Sequence, residues 1–198
     1  MAEMTAPNSS ASYPLSYDVE YPEELSRWLI FVKGLLAIPH LLIIYALNIA
    51  VSVVTIIAWF AILITKRYPR EMFTFVVNVN RWNANVMSYV FLLRDEYPPF
   101  SWEPDEYPVT YDVEYPEELS RWLIFVKWLL AIPHIIVVYL LFLIALLALI
   151  GAWFSILFTK KFPESWFNFI VGVLRWQYRV NAYTNLMRDE YPPFSMEP

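Results

Sequence analysis

The sequence predicts an all-α integral membrane protein made of two tandem repeats. Each repeat is expected to hold an interfacial amphipathic helix and two membrane helices, with short extended or β segments at the membrane surface. Three observations carry this reading. Of the 198 residues, 59% are hydrophobic, 19% are aromatic and only 17% are charged, whereas a soluble domain carries about 25% charged residues. The charges fall in short clusters between long apolar runs, as in chains solvated by lipid. The chain also repeats itself. Tyr13–Pro104 aligns with Tyr107–Pro198 at a constant offset of 94, with 55 of 92 positions identical.

The repeat sets the domain boundaries. YDVEYPEELSRWLIFVK occurs at 17–33 and 111–127, LAIPH at 36–40 and 130–134, and RDEYPPFS at 94–101 and 188–195. The units are therefore 13–104 and 107–198, preceded by a polar tail at 1–12 that is expected to be disordered. Copies this similar call for the same environment, so each is expected to cross the membrane an even number of times. The alternative is an inverted pair.

Within one unit, Leu15, Tyr17, Val19 and Tyr21 alternate with Ser16, Asp18 and Glu20. This period of two reads as a half-buried strand, and the second copy at 109–115 has the same pattern. The strands are placed to pair beside the membrane; an extended Tyr/Pro loop fits the same residues. Pro22, Glu23 and Glu24 then read as a helix start, with Leu25, Trp28, Leu29, Val32 and Leu36 on one face. This predicts a helix in the interface ending near Pro39, with Trp28 and Trp122 at headgroup depth.

Leu41–Ile64 follows, without a single charge, and Ile135–Phe158 is its counterpart. At about 1.5 Å per residue each run is ~36 Å long, enough for a ~30 Å hydrocarbon core. A hairpin bending near Asn48 or Gly151 is the alternative. The turns TKRYPRE (65–71) and TKKFPES (159–165) lead into a second, mixed helix at Met72–Leu93. There Thr74, Asn78, Arg81, Asn85 and Ser88 form one polar stripe, matched by Asn168, Gly172, Arg175, Arg179 and Ala182. An arginine inside an apolar helix must find a partner. Asn78, Arg81, Asn85, Arg175 and Arg179 are therefore either an anion or lipid-headgroup site or a buried polar seam joining copies or subunits.

YDVEYPEELSRW, the LAIPH step, the AWF/TKRYP turn, FVVNVNRW and DEYPPFS together resemble a bacterial membrane-domain family known as domain of unknown function 4389. The resemblance covers 13–198 and implies a small bacterial membrane protein, often with the domain duplicated. It implies no activity, cofactor or catalytic residue.

The remaining constellations are thin. His40 and His134 are the only histidines; two equivalent histidines meeting across a repeat axis would bind a metal or haem, but a helix-start role is the simpler reading. No cysteine is present, so disulfides and thiolate chemistry are excluded. The acidic pairs Glu23/Glu24, Asp95/Glu96 and Asp189/Glu190 are neighbours in loops, not carboxylates held across a cleft. No Gly-rich phosphate loop is present. The expectation is no enzyme, no cofactor and no metal, and a net charge of -5 argues against nucleic acid.

The expected role is a structural or accessory protein of the bacterial cell membrane, multi-pass, that self-assembles or joins a larger membrane complex and has lipids as partners. The alternative is a transport or binding module for an anionic or amphipathic molecule. Positive charges flank both ends of the membrane runs, so the positive-inside rule does not choose a side. The lack of a signal-peptide pattern favours cytoplasmic termini.

Overall fold

The computed structural model describes residues 13–104 and 106–198; the tail at 1–12 lies outside them. The first repeat contributes β1 (Leu15–Val19), α1 (Leu29–Leu36), α2 (Ile38–Thr65) and α3 (Arg70–Val90). The second contributes β2 (Val109–Val113), α4 (Lys127–Leu130), α5 (Ile132–Thr159) and α6 (Glu164–Thr184). The fold is mostly helical, with one two-stranded sheet. The strand reading of the period-two segments, rather than the loop reading, describes 15–19 and 109–113.

α2 and α5 are unbroken 28-residue helices, so neither turns back as a hairpin at Asn48 or Gly151. Both are long and apolar enough to cross a membrane. Each places a proline in its first turn, where a missing N–H costs nothing. Each ends on a left-handed lysine, Lys66 or Lys160, that closes the last turn. α2 buries one narrow seam, His40, Ile44, Val51, Ala58 and Ile62, and α5 buries the equivalent His134, Val138, Ala145, Ala152 and Ile156. The spacings of 4, 7, 7 and 4 give a straight stripe against a neighbouring helix. The opposite arc of α2 is apolar and exposed: Leu42, Tyr45, Ile49, Val53, Ile56, Phe60 and Ile64.

α3 packs on α2 and α6 on α5 as antiparallel hairpins, and the sheet packs on the other side of α3 and α6. The order of layers is thus apolar helices, mixed helices, sheet. In both strands the alternation is regular: Leu15, Tyr17 and Val19, and Val109, Tyr111 and Val113, point into the core, while the residues between them face out.

The interfacial helix starts later than its sequence predicts. Residues 22–28 are not helical, and α1 begins at Leu29. In the second copy the same stretch is a 3-10 turn at Leu123–Phe125 followed by the four-residue α4. The backbone N–H groups that would begin a helix are used elsewhere. Leu25 N–H donates to the Lys160 carbonyl (2.8 Å) and Ser26 N–H to Asp95 Oδ2 (2.5 Å). Tertiary partners thus replace the first helical turn.

The Leu25–Lys160 bond is one half of a reciprocal exchange between the repeats. Leu119 N–H donates to the Lys66 carbonyl (2.8 Å). Arg27 reaches the Phe158 carbonyl (3.0 Å), and Arg121 reaches the Ile64 carbonyl (2.8 Å). Phe31 packs edge-on against Trp153, and Phe125 against Trp59. Each repeat's entry segment is docked on the far end of the other repeat's long helix.

The strands pair antiparallel in a symmetric register: Tyr17 lies opposite its own equivalent Tyr111, Leu15 opposite Val113 and Val19 opposite Val109. This is an isologous contact about a two-fold axis normal to the sheet. One side chain breaks the symmetry. Tyr178 of α6 inserts between the rings of Tyr17 and Tyr111, with centroids 4.9 and 5.2 Å away. The equivalent position in α3 is Ala84, fully buried. Only one large ring fits near the axis.

Candidate functional site

The polar stripe of the mixed helices faces the sheet and the two C-terminal straps. Arg81 donates through Nε to the Tyr111 carbonyl (3.1 Å), through Nη1 to Asn78 Oδ1 (2.9 Å) and the Trp102 carbonyl (3.2 Å), and pairs with Asp112 (3.4 Å). Arg175 repeats the arrangement. Its Nε donates to the Tyr17 carbonyl (2.8 Å), its Nη1 to the Met196 carbonyl (2.8 Å), and its Nη2 pairs with Asp18 (3.1 Å). Each arginine therefore clamps a strand from the other repeat and the strap of its own. Five donors in a rigid fork suit this use.

The copies differ around the clamp. Gly172 replaces Asn78, and an added Cβ there would sit 2.8 Å from Met196 Cβ; the glycine lets the strap approach α6. Arg179 replaces Asn85. Its Nη1 donates to the Ser195 carbonyl (3.3 Å), its guanidinium lies over the Tyr13 ring, and its buried Nε has no partner among the described residues. Asn85 is buried beside Ser88, which donates to its carbonyl. A cleft of about 470 Å³ opens at Arg175 and Arg179, also lined by Tyr13, Asp18, Asp112 and Glu114. Three carboxylates against two guanidiniums make it a poor trap for an anion. Burial pushes the Tyr17 phenol up, against the pull of Arg175, so it stays neutral.

The histidines do not meet. His40 Nδ1 accepts from Trp82 Nε1 (3.2 Å) and stacks on Phe100 at 3.9 Å. His134 accepts from Trp176 (3.0 Å) and stacks on Phe194 at 3.9 Å. Each belongs to an aromatic box inside its own repeat. It fastens the strap over the start of α2 or α5, and the indole N–H fixes the ring. The two-histidine metal site is thus not assembled, and no group of three His, Asp or Glu suited to a metal occurs among the described residues. Trp28 and Trp122 stand 80% and 79% exposed at the entries to α1 and the 3-10 turn.

A second charged constellation, absent from the spacing of the polar stripe, lies around Lys33 and Lys127. Lys33 is 1% exposed; its Nζ contacts Asp95 Oδ1 (2.7 Å), donates to the Arg94 carbonyl (2.6 Å) and sits over the Tyr89 ring. Lys127 does the same with Asp189 (2.8 Å), the Arg188 carbonyl (2.6 Å) and Tyr183. Arg94 grips Glu96 with two bonds and donates to the Glu20 carbonyl; Arg188 does so with Glu190 and Glu114. Burial alone would raise the Glu96 and Glu190 carboxyls, but the paired arginine bonds hold them below the ordinary carboxylate value. The signal was a lone lysine in an apolar helix, which needs a carboxylate nearby.

Comparison with curated proteins and with solved structures gives no match. A family model described as a domain of unknown function (DUF4389) matches residues 27–101 and again residues 121–196. Once in each repeat, these matches make the chain a tandem-duplicated member of that family.

Proposed function

We propose that this is a structural or accessory integral membrane protein, without catalysis, that assembles with itself or with a larger membrane complex. The observation that carries the reading is the outer arc of α2 and α5. A row of exposed large apolar residues runs the length of both helices and continues through Phe31, Leu35, Trp128 and Leu129 of α1 and α4. A monomer in water does not leave a continuous apolar face of this size uncovered. Lipid covers it, and a protein partner within the bilayer reaches it from the side.

The use made of the charged side chains supports the structural role. Arg81, Arg175, Lys33 and Lys127 spend their donors on the chain's own carbonyls and carboxylates. They hold repeat to repeat and strap to helix. A second reading, binding of an anionic amphiphile, draws on the cleft at Arg175 and on the spare Nε of Arg179.

The test uses membranes washed at alkaline pH, then extraction in mild detergent and native mass spectrometry of wild type and of Arg81→Leu and Arg179→Leu. The expected result is retention in the washed membrane, and in wild type an assembly with no stoichiometric ligand. A retained anionic lipid that Arg179→Leu alone abolishes, with assembly intact, would replace the structural reading with the binding one. Release of the protein by the wash would end both.

A further inference from the structure

We infer that the chain does not cross the bilayer: α2 and α5 lie in one leaflet, with the two-fold axis along the membrane normal and the sheet facing water. This rests on the membrane reading above and specifies how the apolar face meets lipid.

α2 and α5 run in opposite directions. Each is 28 residues, about 42 Å long. The end of α5 is tied to the entry of α1 through Lys160–Leu25 and Trp153–Phe31. From Phe31, helix α1 leads in a few residues to the start of α2 at Ile38, a helical path of ~10 Å. The end of α5 therefore lies near the start of α2. The reciprocal contacts Lys66–Leu119 and Trp59–Phe125 place the end of α2 near the start of α5. Helices of this length meet both conditions only when they run antiparallel. This agrees with the two-fold read from the strand register.

The two-fold axis fixes how these helices meet the bilayer. It passes between Tyr17 and Tyr111, normal to the sheet, and because it interchanges two antiparallel helices it is perpendicular to both. If α2 and α5 crossed the membrane in opposite senses, the axis would lie in the membrane plane, halfway between the two surfaces. The sheet would then sit at mid-bilayer. Asp18 and Asp112 are one residue from the axis, and their side chains are 71% and 65% exposed. Ser16 and Thr110 are exposed on the same face. A crossing orientation therefore puts two exposed carboxylates, each held by a single arginine on its inner side, at the depth where a charge is least tolerated, on a sheet whose free edges would meet lipid.

Turning the axis along the normal removes the conflict. The sheet becomes the outermost layer on the aqueous side. The helices of the apolar layer, ~10 Å across, fit within one leaflet, as interfacial helices do. The turns at 65–69 and 159–163, with Lys66, Arg67, Lys160 and Lys161, come to the same depth and side. Both copies then experience one environment, which accounts for 55 identical positions of 92 without placing equal segments on opposite faces. A multi-pass chain is the rival.

The chain has no cysteine, so single-cysteine labelling reads each position alone. Arg67→Cys, Lys161→Cys and Ser16→Cys, each at an exposed position, would be probed with a membrane-impermeant maleimide in sealed right-side-out and inverted vesicles from the expressing cells. The inference expects all three to label in the same vesicle orientation, and at least tenfold less in the other. Labelling of positions 67 and 161 from opposite sides, or a Ser16→Cys shielded in both orientations, would overturn it while leaving the membrane reading intact. Loss of the protein from alkaline-washed vesicles would overturn the membrane reading itself.

Discussion

Lys33 offers the sharpest test of how the entry segment is held. Its ammonium is 1% exposed, pairs with Asp95 at 2.7 Å and donates to the Arg94 carbonyl. Lys33→Met keeps the length and apolar stem but removes the charge. Breaking a buried pair by deleting one partner costs about 3–5 kcal/mol, because the other charge stays buried. Asp95 is 23% exposed and still accepts from Ser26 N–H, so the lower end of that range, ~3 kcal/mol, applies. For a chain of this length a loss of 1 kcal/mol moves Tm by about 2–4 °C, which gives a fall of ~6–12 °C. Tryptophan fluorescence during heating in detergent reads it directly. The double variant Lys33→Met/Asp95→Asn should recover part of the loss, since no unpaired charge remains. Lys161→Met, exposed and outside any ion pair among the described residues, should stay within about 0.5 kcal/mol of wild type. A Lys33→Met protein that melts within ~2 °C of wild type would show that the pair does not hold α1 to the end of α3.

Three further outcomes follow from the same geometry. Tyr178→Ala empties the space between Tyr17 and Tyr111 and should cost about 3–5 kcal/mol, whereas Tyr178→Phe loses only the bond to Asn83, about 1 kcal/mol; denaturant melts separate the two. His40→Leu leaves the Trp82 indole N–H without its acceptor and should cost about 1–3 kcal/mol, with loss of near-ultraviolet dichroism from Trp82. Glu96 and Glu190 have folded-state carboxyls held below the ordinary glutamate value of 4.5. Their contribution is present above that value and fades as pH falls through the lower folded one. Melting temperature should therefore drop below pH 4.5, and less so in Glu96→Gln/Glu190→Gln; an equal drop in both proteins would remove the arginine grip from the account.

Local pattern alone determined much of this protein. The 94-residue offset fixed the duplication. Uncharged runs marked α2 and α5, and alternation at Leu15–Tyr21 offered strand or extended loop, because helix and strand periods are properties of consecutive residues; the pairing of Leu15–Val19 with Val109–Val113 made it strand. The spacing of Arg81 with Asn78 and Asn85 marked a polar face that would need partners. What answered that face was decided by tertiary structure. Arg81 is met by a strand from the other repeat, 30 residues away, and Arg175 by one 158 residues away. No local period encodes a partner at such a distance. The same holds for the helix start at 22–28: Pro22, Glu23 and Glu24 favour a first helical turn, but the Lys160 and Asp95 acceptors capture the Leu25 and Ser26 N–H groups. The antiparallel setting of α2 and α5 was beyond the sequence too. Equal segments read the same in either direction of assembly, and only the contacts between repeats, Leu25 with Lys160 and Leu119 with Lys66, together with the symmetric pairing about Tyr17 and Tyr111, choose between them.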